Sequence, residues 1–374
     1  MNIRNLLYIV SFMVIIICIT VLFAGCVEEP ESVNEADHAN NDSPEVSTPE
    51  RKAMFYDVSL HATTGGMEKI YNEGFKQITG IDYFELDCYH CHATCDDCHA
   101  MDVNGNKVYE TAVAADTMTC LKCHGREGII ANLNIPDMHS TNNLTCTDCH
   151  TAEEIHGMGV EIDTMKDPET IAITCEDCHY SGSDKATPPS GTISHTAHGE
   201  KLDCSACHVG TSVTCYNCHF DTYLEYEQKI ALPTKDWLFL LNYNGKVASA
   251  NIMPLSYGKQ TYAIFAPQFP HNVINPGRSC GDCHGNENVL DLDTDSKITL
   301  SWWDEGFKHK TGIIPVLDPE TYEYELQFLW LDYNPDTEEK IWSQLDGQEK
   351  PIVKIGNYGE PLTLEQLQKL KNLV

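Results

Sequence analysis

Sixteen of the 18 cysteines in this chain fall into eight copies of one five-residue pattern, Cys-x-x-Cys-His. In order they are Cys88, Cys91 and His92; Cys95, Cys98 and His99; Cys120, Cys123 and His124; Cys146, Cys149 and His150; Cys175, Cys178 and His179; Cys204, Cys207 and His208; Cys215, Cys218 and His219; and Cys280, Cys283 and His284. Two thiols three residues apart come to one side of a helical turn, and the His that follows points past them. That geometry suits attachment of haem c. The thiols add across the two vinyl groups, and the imidazole becomes an axial ligand to the iron. Zinc knuckles and redox dithiols also use Cys-x-x-Cys, but neither needs His directly after the second Cys. Eight full repeats therefore point to eight covalently attached haems. The two remaining thiols, Cys18 and Cys26, lie in or beside an apolar N-terminal run, so none is left for a disulfide or zinc. Such thiols are delivered to haem in reduced form, outside the cytoplasm.

The histidines match this arithmetic. Of 17, eight follow the cysteine pairs, and nine remain. His38 lies in an acidic, Asn-rich stretch and reads as solvated. His61, His90, His139, His156, His195, His198, His271 and His309 then supply one candidate distal ligand per iron. An iron with two His ligands has no open position, so it passes electrons without binding substrate. His90 lies inside the first motif and suits a neighbouring haem. His139 and His271 sit a short loop upstream of motifs. Met118, Met138 and Met158 are alternative ligands that would raise a potential.

The elements that position these groups read as short. Motifs two to six begin 25 to 29 residues apart, enough chain to wrap one haem and return a ligand. Only Ala93-Thr94 separates the first two motifs, and six residues separate the sixth and seventh, which forces those haems close together. The expected architecture is a haem-packed multihaem fold with little regular secondary structure, over residues 53–290, that fails to fold without haem. It carries a small β-meander insertion at about 228–268, where Tyr243-Asn244-Gly245 signals a hairpin after the apolar run from Trp237. A haem-free α+β segment follows at 291–374. Trp302, Trp303, Trp330 and Trp342 give it its own core, Phe328–Leu331 and Pro351–Ile355 read as strands, and Thr363 to Gln366 reads as a capping box for a last helix. Asp291, Asp293 and Asp295 imitate a calcium loop but lack its Gly and closing Glu, which leaves an acidic surface loop. Glu73–Ile81 and Glu305–Ile313 echo each other, through chance, shared local structure or duplication.

At the N-terminus, Arg4 precedes an apolar run from Leu6 to Ala24, long enough to span a bilayer. Leu22-Phe-Ala-Gly-Cys26 resembles a lipoprotein box, with Phe23 the departure and Cys26 the lipidation candidate. Residues 1–26 thus read as lipoprotein signal or membrane anchor, and 27–52 as an acidic disordered tether. The bulk of the chain is then expected on the extracytoplasmic face of a prokaryotic membrane, at the cell surface or in the periplasm. The formal net charge of −32 repels nucleic acid and favours basic partner proteins.

Over residues 60–290 the motif set resembles the multihaem c-type cytochromes. The resemblance implies an electron carrier rather than an enzyme. Electrons would hop along bis-His haems between a membrane donor and another cytochrome or an extracellular acceptor. Two other readings stay open. Octahaem reductases of small nitrogen or sulfur oxyanions keep one iron open or give it Lys, and Lys76, Lys122 and Lys201 lie near motifs here. Polymeric cytochrome filaments have similar haem density and would imply self-association.

Overall fold

A run of residues buried on both sides organises the molecule. Trp237, Leu238, Phe239, Leu240 and Leu241 are each no more than 2% exposed. An unbroken apolar run of this kind belongs to a strand covered on both faces, where alternation is lost. The computed structural model, which describes residues 56–86, 92–168, 170–186, 188–226, 230–318, 325–333, 342–347 and 349–372, places that run at the centre of a six-stranded sheet. Its strands are β1 (Ser212–His219), β2 (Ile230–Tyr243), β3 (Lys246–Tyr257), β4 (Gln260–Pro267), β5 (Gly312–Pro315) and β6 (Ile352–Ile355). Asn244 and Gly245, both at positive φ, turn β2 into β3, and Gly258 turns β3 into β4.

β2 and β3 pair from Phe239 opposite Ala250 to Tyr243 opposite Lys246, then diverge. β1 enters between them, antiparallel to β2 and parallel to β3. β5 closes the β2 edge and β6 the β4 edge, both in parallel. The inserted strands, the seventh motif and the C-terminal segment therefore share one sheet. They also share one core, in which Trp237, Phe239 and Phe265 meet Trp330, Leu362 and Leu367. Helix α2 (Glu287–Asp295) packs on β5, and α3 (Leu364–Lys371) packs on α2. Thr363 and Gln366 form the capping box of α3. On the β3–β4 side, Tyr71, Phe75, Ile78, Tyr83 and Leu86 cover Leu255, Tyr262 and Ile264. Gly74 makes that approach possible, since a Cβ there would fall 1.5 Å from the Tyr262 hydroxyl.

This sheet overturns the expected fold class. A haem-packed, loop-rich fold presumes too little apolar side chain to build a core. Residues 206–370 carry enough apolar side chain to build one. The C-terminal segment is likewise not a separate α+β unit with its own core. Asp291 and Asp295 lie in α2, capped by Asn286, rather than in a surface loop. Phe328–Trp330 is not a strand, and the strand starts at Leu331. The two echoed segments differ in structure: 73–79 is helical, whereas 307–309 and 312–315 are strands.

The motif region is built otherwise. Between residues 92 and 201, Ile130 is the one buried hydrophobic side chain among those described, while Met118 and Ile193 are 65% and 85% exposed. Its helices are short, and α1 (Gly125–Asn132), which follows the third motif directly, packs on β1. Among the described residues no helix is long and apolar enough to cross a membrane. The N-terminal run, Cys26, His38, Cys88, His90 and Cys91 lie outside the described residues.

Candidate functional site

Six of the described motifs form a single turn in the same way, among them the helix Cys95–His99. The His amide donates to the first Cys carbonyl at 3.0 Å for His124, 2.9 Å for His150, and 2.8 Å for His179 and His284, and the helix Cys204–His208 repeats the turn. A local signal sets this turn in four places. Thr94 with Asp97, Thr145 with Asp148, Thr174 with Asp177 and Ser279 with Asp282 make capping boxes around the first Cys. The carboxylate accepts from the cap residue's own amide at 2.6–2.7 Å. The pattern [Ser/Thr]-Cys-x-Asp-Cys-His is thus a capping box laid over an attachment motif. It was readable in the sequence, and the reading from cysteine spacing alone passed over it.

The seventh motif is a strand. Cys215 to His219 lie in β1, where the pairing with β2 slips between Tyr216 and His219. Asn217 sits in this slip at φ +54°, a β-bulge conformation that Asn tolerates. In a regular strand, residues three apart face opposite sides. The extra residue restores the parity, so Cys215 is exposed and Cys218 half-buried while Tyr216 and Asn217 are buried. Asn217 Nδ2 donates to the Leu331 carbonyl at 2.7 Å, and its Oδ1 accepts from the Leu331 amide at 3.1 Å. Tyr216 donates to the Leu329 carbonyl at 2.8 Å.

Six motif imidazoles each face one imidazole from the rest of the chain. His124 meets His61 with ring centroids 6.1 Å apart, His99 meets His156 at 6.0 Å, and His179 meets His139 at 6.3 Å. His150 meets His271 at 6.1 Å, His208 meets His195 at 6.2 Å, and His284 meets His198 at 6.0 Å. A metal–imidazole bond is about 2.0 Å and a ring nitrogen lies roughly 1.1 Å from its centroid, so two imidazoles trans on one ion stand about 6.2 Å apart.

The outer ring nitrogens are engaged. Nδ1 of His156, His198 and His284 donates to the carbonyls of Ala152, Ser194 and Lys369, each at 2.8 Å. His208 Nδ1 donates to Ile274 at 3.1 Å, His195 Nδ1 bonds Thr192 Oγ1 at 2.9 Å, and His150 Nδ1 bonds Glu154 Oε2 at 3.1 Å. His271 Nδ1 lies 3.4 Å from Glu127. Donation from Nδ1 fixes the tautomer and leaves the Nε2 lone pair for a metal, the usual second layer of a His ligand. Burial, then the facing His124, holds His61 below the ordinary imidazole range, which keeps it in the neutral form that a metal binds. The donor set and spacing fit haem.

His309 is placed elsewhere. Its ring lies against Trp237 at 4.8 Å, its Nδ1 donates to the Lys310 carbonyl at 2.8 Å, and no described motif His faces it. Of the candidate lysines, Lys122 bonds the Asp97 carbonyl at 3.5 Å and Lys76 bonds Asp82 at 2.8 Å. Met118 and Met158 point into solvent.

Contacts between motifs give their order in space. Lys122 joins motif three to motif two. Cys146 Sγ lies 3.8 Å from Thr117 Oγ1, joining four to three. Glu154, which carries His150, accepts from the Ala172 amide at 2.8 Å, joining four to five. Cys204 Sγ lies 3.8 Å from Glu176, joining six to five, and the Arg278 amide donates to Cys207 at 3.0 Å, joining eight to six. Two thiol pairs come within hydrogen-bonding reach along this line, Cys120 with Cys146 and Cys175 with Cys204. The ligand atoms of Cys175, Glu176 and Cys204 lie within 4.8 Å of one another. Motif seven stands beside this line, its strand β1 packed against α1. No protein-family model matches the chain, and comparison with curated proteins and with solved structures finds no match to either.

Proposed function

We propose that this chain is an octahaem c-type cytochrome that carries electrons along a line of bis-His haems outside the cytoplasm, tethered through its N-terminus. One observation carries the reading. Six spare histidines face six motif histidines at 6.0–6.3 Å, the distance a shared iron imposes. The exposed apolar side chains of the motif region support it, because a porphyrin would cover them.

Bound haem supplies the one-electron couple. The chain does the rest. Each Cys pair would hold a haem through two thioether bonds, the facing His pairs would supply the ligands to its iron, and the contacts between motifs would bring successive sites close together. Carbonyl and carboxylate acceptors on Nδ1 hold the imidazoles in place and tune their basicity. The donor and acceptor are redox proteins or an extracellular acceptor. With a net charge of −32, a basic partner surface is favoured.

A second reading has one observation in its favour. His309 lies against Trp237, which leaves seven candidate distal histidines for eight irons once His38 is set aside. An iron without a second His would make the chain a reductase of small nitrogen or sulfur oxyanions. Intact mass should give eight haems per chain. Low-temperature electron paramagnetic resonance of the oxidised holoprotein should then show only low-spin signals, and CO should leave the reduced spectrum unchanged. A high-spin signal with one CO-binding haem would replace the conduit by the reductase, and a haem-free mass would sink both.

A further inference from the structure

Arginine is rare in this chain. Of four, only Arg126 and Arg278 lie among the described residues. Both stand next to an attachment motif, Arg126 two residues after His124 and Arg278 two before Cys280. Arg126 lies in the first turn of α1. Arg278 joins motif eight to motif six, its amide donating to the Cys207 carbonyl at 3.0 Å.

Acidic residues outnumber basic ones 56 to 24, yet neither guanidinium has an ion pair with a described carboxylate. Glu127, the acid beside Arg126, is engaged by His271. Arg278 is clamped by backbone: its Nη2 donates to the Val209 carbonyl at 3.0 Å and to the Gly210 carbonyl. Its Nε is buried and has no acceptor among the described residues. Gly277 lets this segment lie against His208, since a Cβ there would stand 3.0 Å from the ring. A buried guanidinium donor without a partner costs stability, and a carboxylate is the strongest acceptor it can be given.

We propose that Arg278 binds a haem propionate, and so raises the potential of a haem at the motif six–eight junction. This rests on the cytochrome reading. The charge favours the reduced, less positive iron and keeps the propionate ionised.

The test uses holoprotein, wild type and the variants Arg278→Gln and Arg278→Lys. Intact mass gives the haem count, and spectroelectrochemical titration at several pH values gives the steps. The Gln variant should keep eight haems, shift one reductive step to lower potential and make that step pH-dependent, and Lys should restore most of it. A fully loaded Gln variant with unchanged steps and pH dependence would overturn the proposal while leaving the cytochrome reading intact. A haem-free wild type would remove both. If the Gln variant does not load, redox infrared difference spectra of wild type carrying propionate-labelled haem decide. Propionates that stay ionised through the ordinary carboxylate range support the assignment, and propionates that titrate there refute it.

Discussion

At the residue scale, the Cys-x-x-Cys-His motif is legible because the chemistry proposed for it is local: five consecutive residues would supply both thioether positions and an axial ligand. The proposed distal ligands are not legible in this way. His271 reaches His150, and His61 reaches His124, only because intervening elements bring them together. Counting histidines therefore suggested two per iron without saying which, and it included His309, which the Trp237 ring holds in the core. Glu154 tests the reading at this scale. Its side chain is 7% exposed and accepts from His150. If His150 ligates a haem iron as proposed, Glu154→Gln removes a buried carboxylate from its imidazole, and one reduction step should move to higher potential in a redox titration, the others holding. Lys166 tests the fold independently of haem. Burial pushes it down to about 8, with Asp203 pulling the other way, and its ammonium lies 4.0 Å from the Phe269 ring centre. An unfolded Lys titrates near about 10.4. Between those values the unfolded chain binds more protons, so stability rises with pH there, and the cost of the buried charge is fully present below about 8. Lys166→Met should therefore be more stable than wild type at pH 7, by about 1–2 kcal/mol after the ring contact is discounted. Melting curves should show the gap closing as pH approaches about 10.4.

At the element scale, local signals announced the hairpin at Asn244-Gly245 and the capped α3, because turn and cap chemistry lie within a few residues. The partners of that hairpin were not announced. β5 and β6 join in parallel from distant segments, and parallel pairing leaves no short-range mark. The strand form of motif seven was hidden for a related reason: a helical turn was read from spacing, and tertiary pairing with β2 and β3 overrode it. Asn217 is where that override can be tested. Asn217→Ala loses two buried hydrogen bonds and the tolerance of positive φ, a cost of about 2–3 kcal/mol in denaturant titration. It also misaligns Cys215 with Cys218, so intact mass should show a population short by one haem. Asn217→Gly, which keeps the bulge conformation, should retain the full count while losing stability. Full loading in the Ala variant would mean that the bulge does not set the parity of these thiols.

At the scale of the whole molecule, the sheet core closes on its own side chains, while residues 92–201 contribute little to it. Failure to fold without haem therefore no longer follows. Chain produced without haem attachment should protect the amides of β2, β3 and β4 in hydrogen exchange and leave those of 92–201 unprotected. Uniform exchange throughout would show that the core depends on the cofactor after all. Composition had suggested the reverse, because cysteines and acidic residues dominate the eye while the apolar strands occupy a short part of the sequence. The contacts between successive motifs have a last consequence, for assembly. If the motifs carry haem and the chain is exported from its N-terminus, each site from motif two to motif six touches the next to emerge and can begin to dock in turn. Final closure must wait for distant chain: His150 faces His271, His208 donates to the Ile274 carbonyl, β1 needs β2 and β3 on either side, and His284 donates to the Lys369 carbonyl in α3. Maturation would then be vectorial, with its slow, long-range closure deferred to the final stretch.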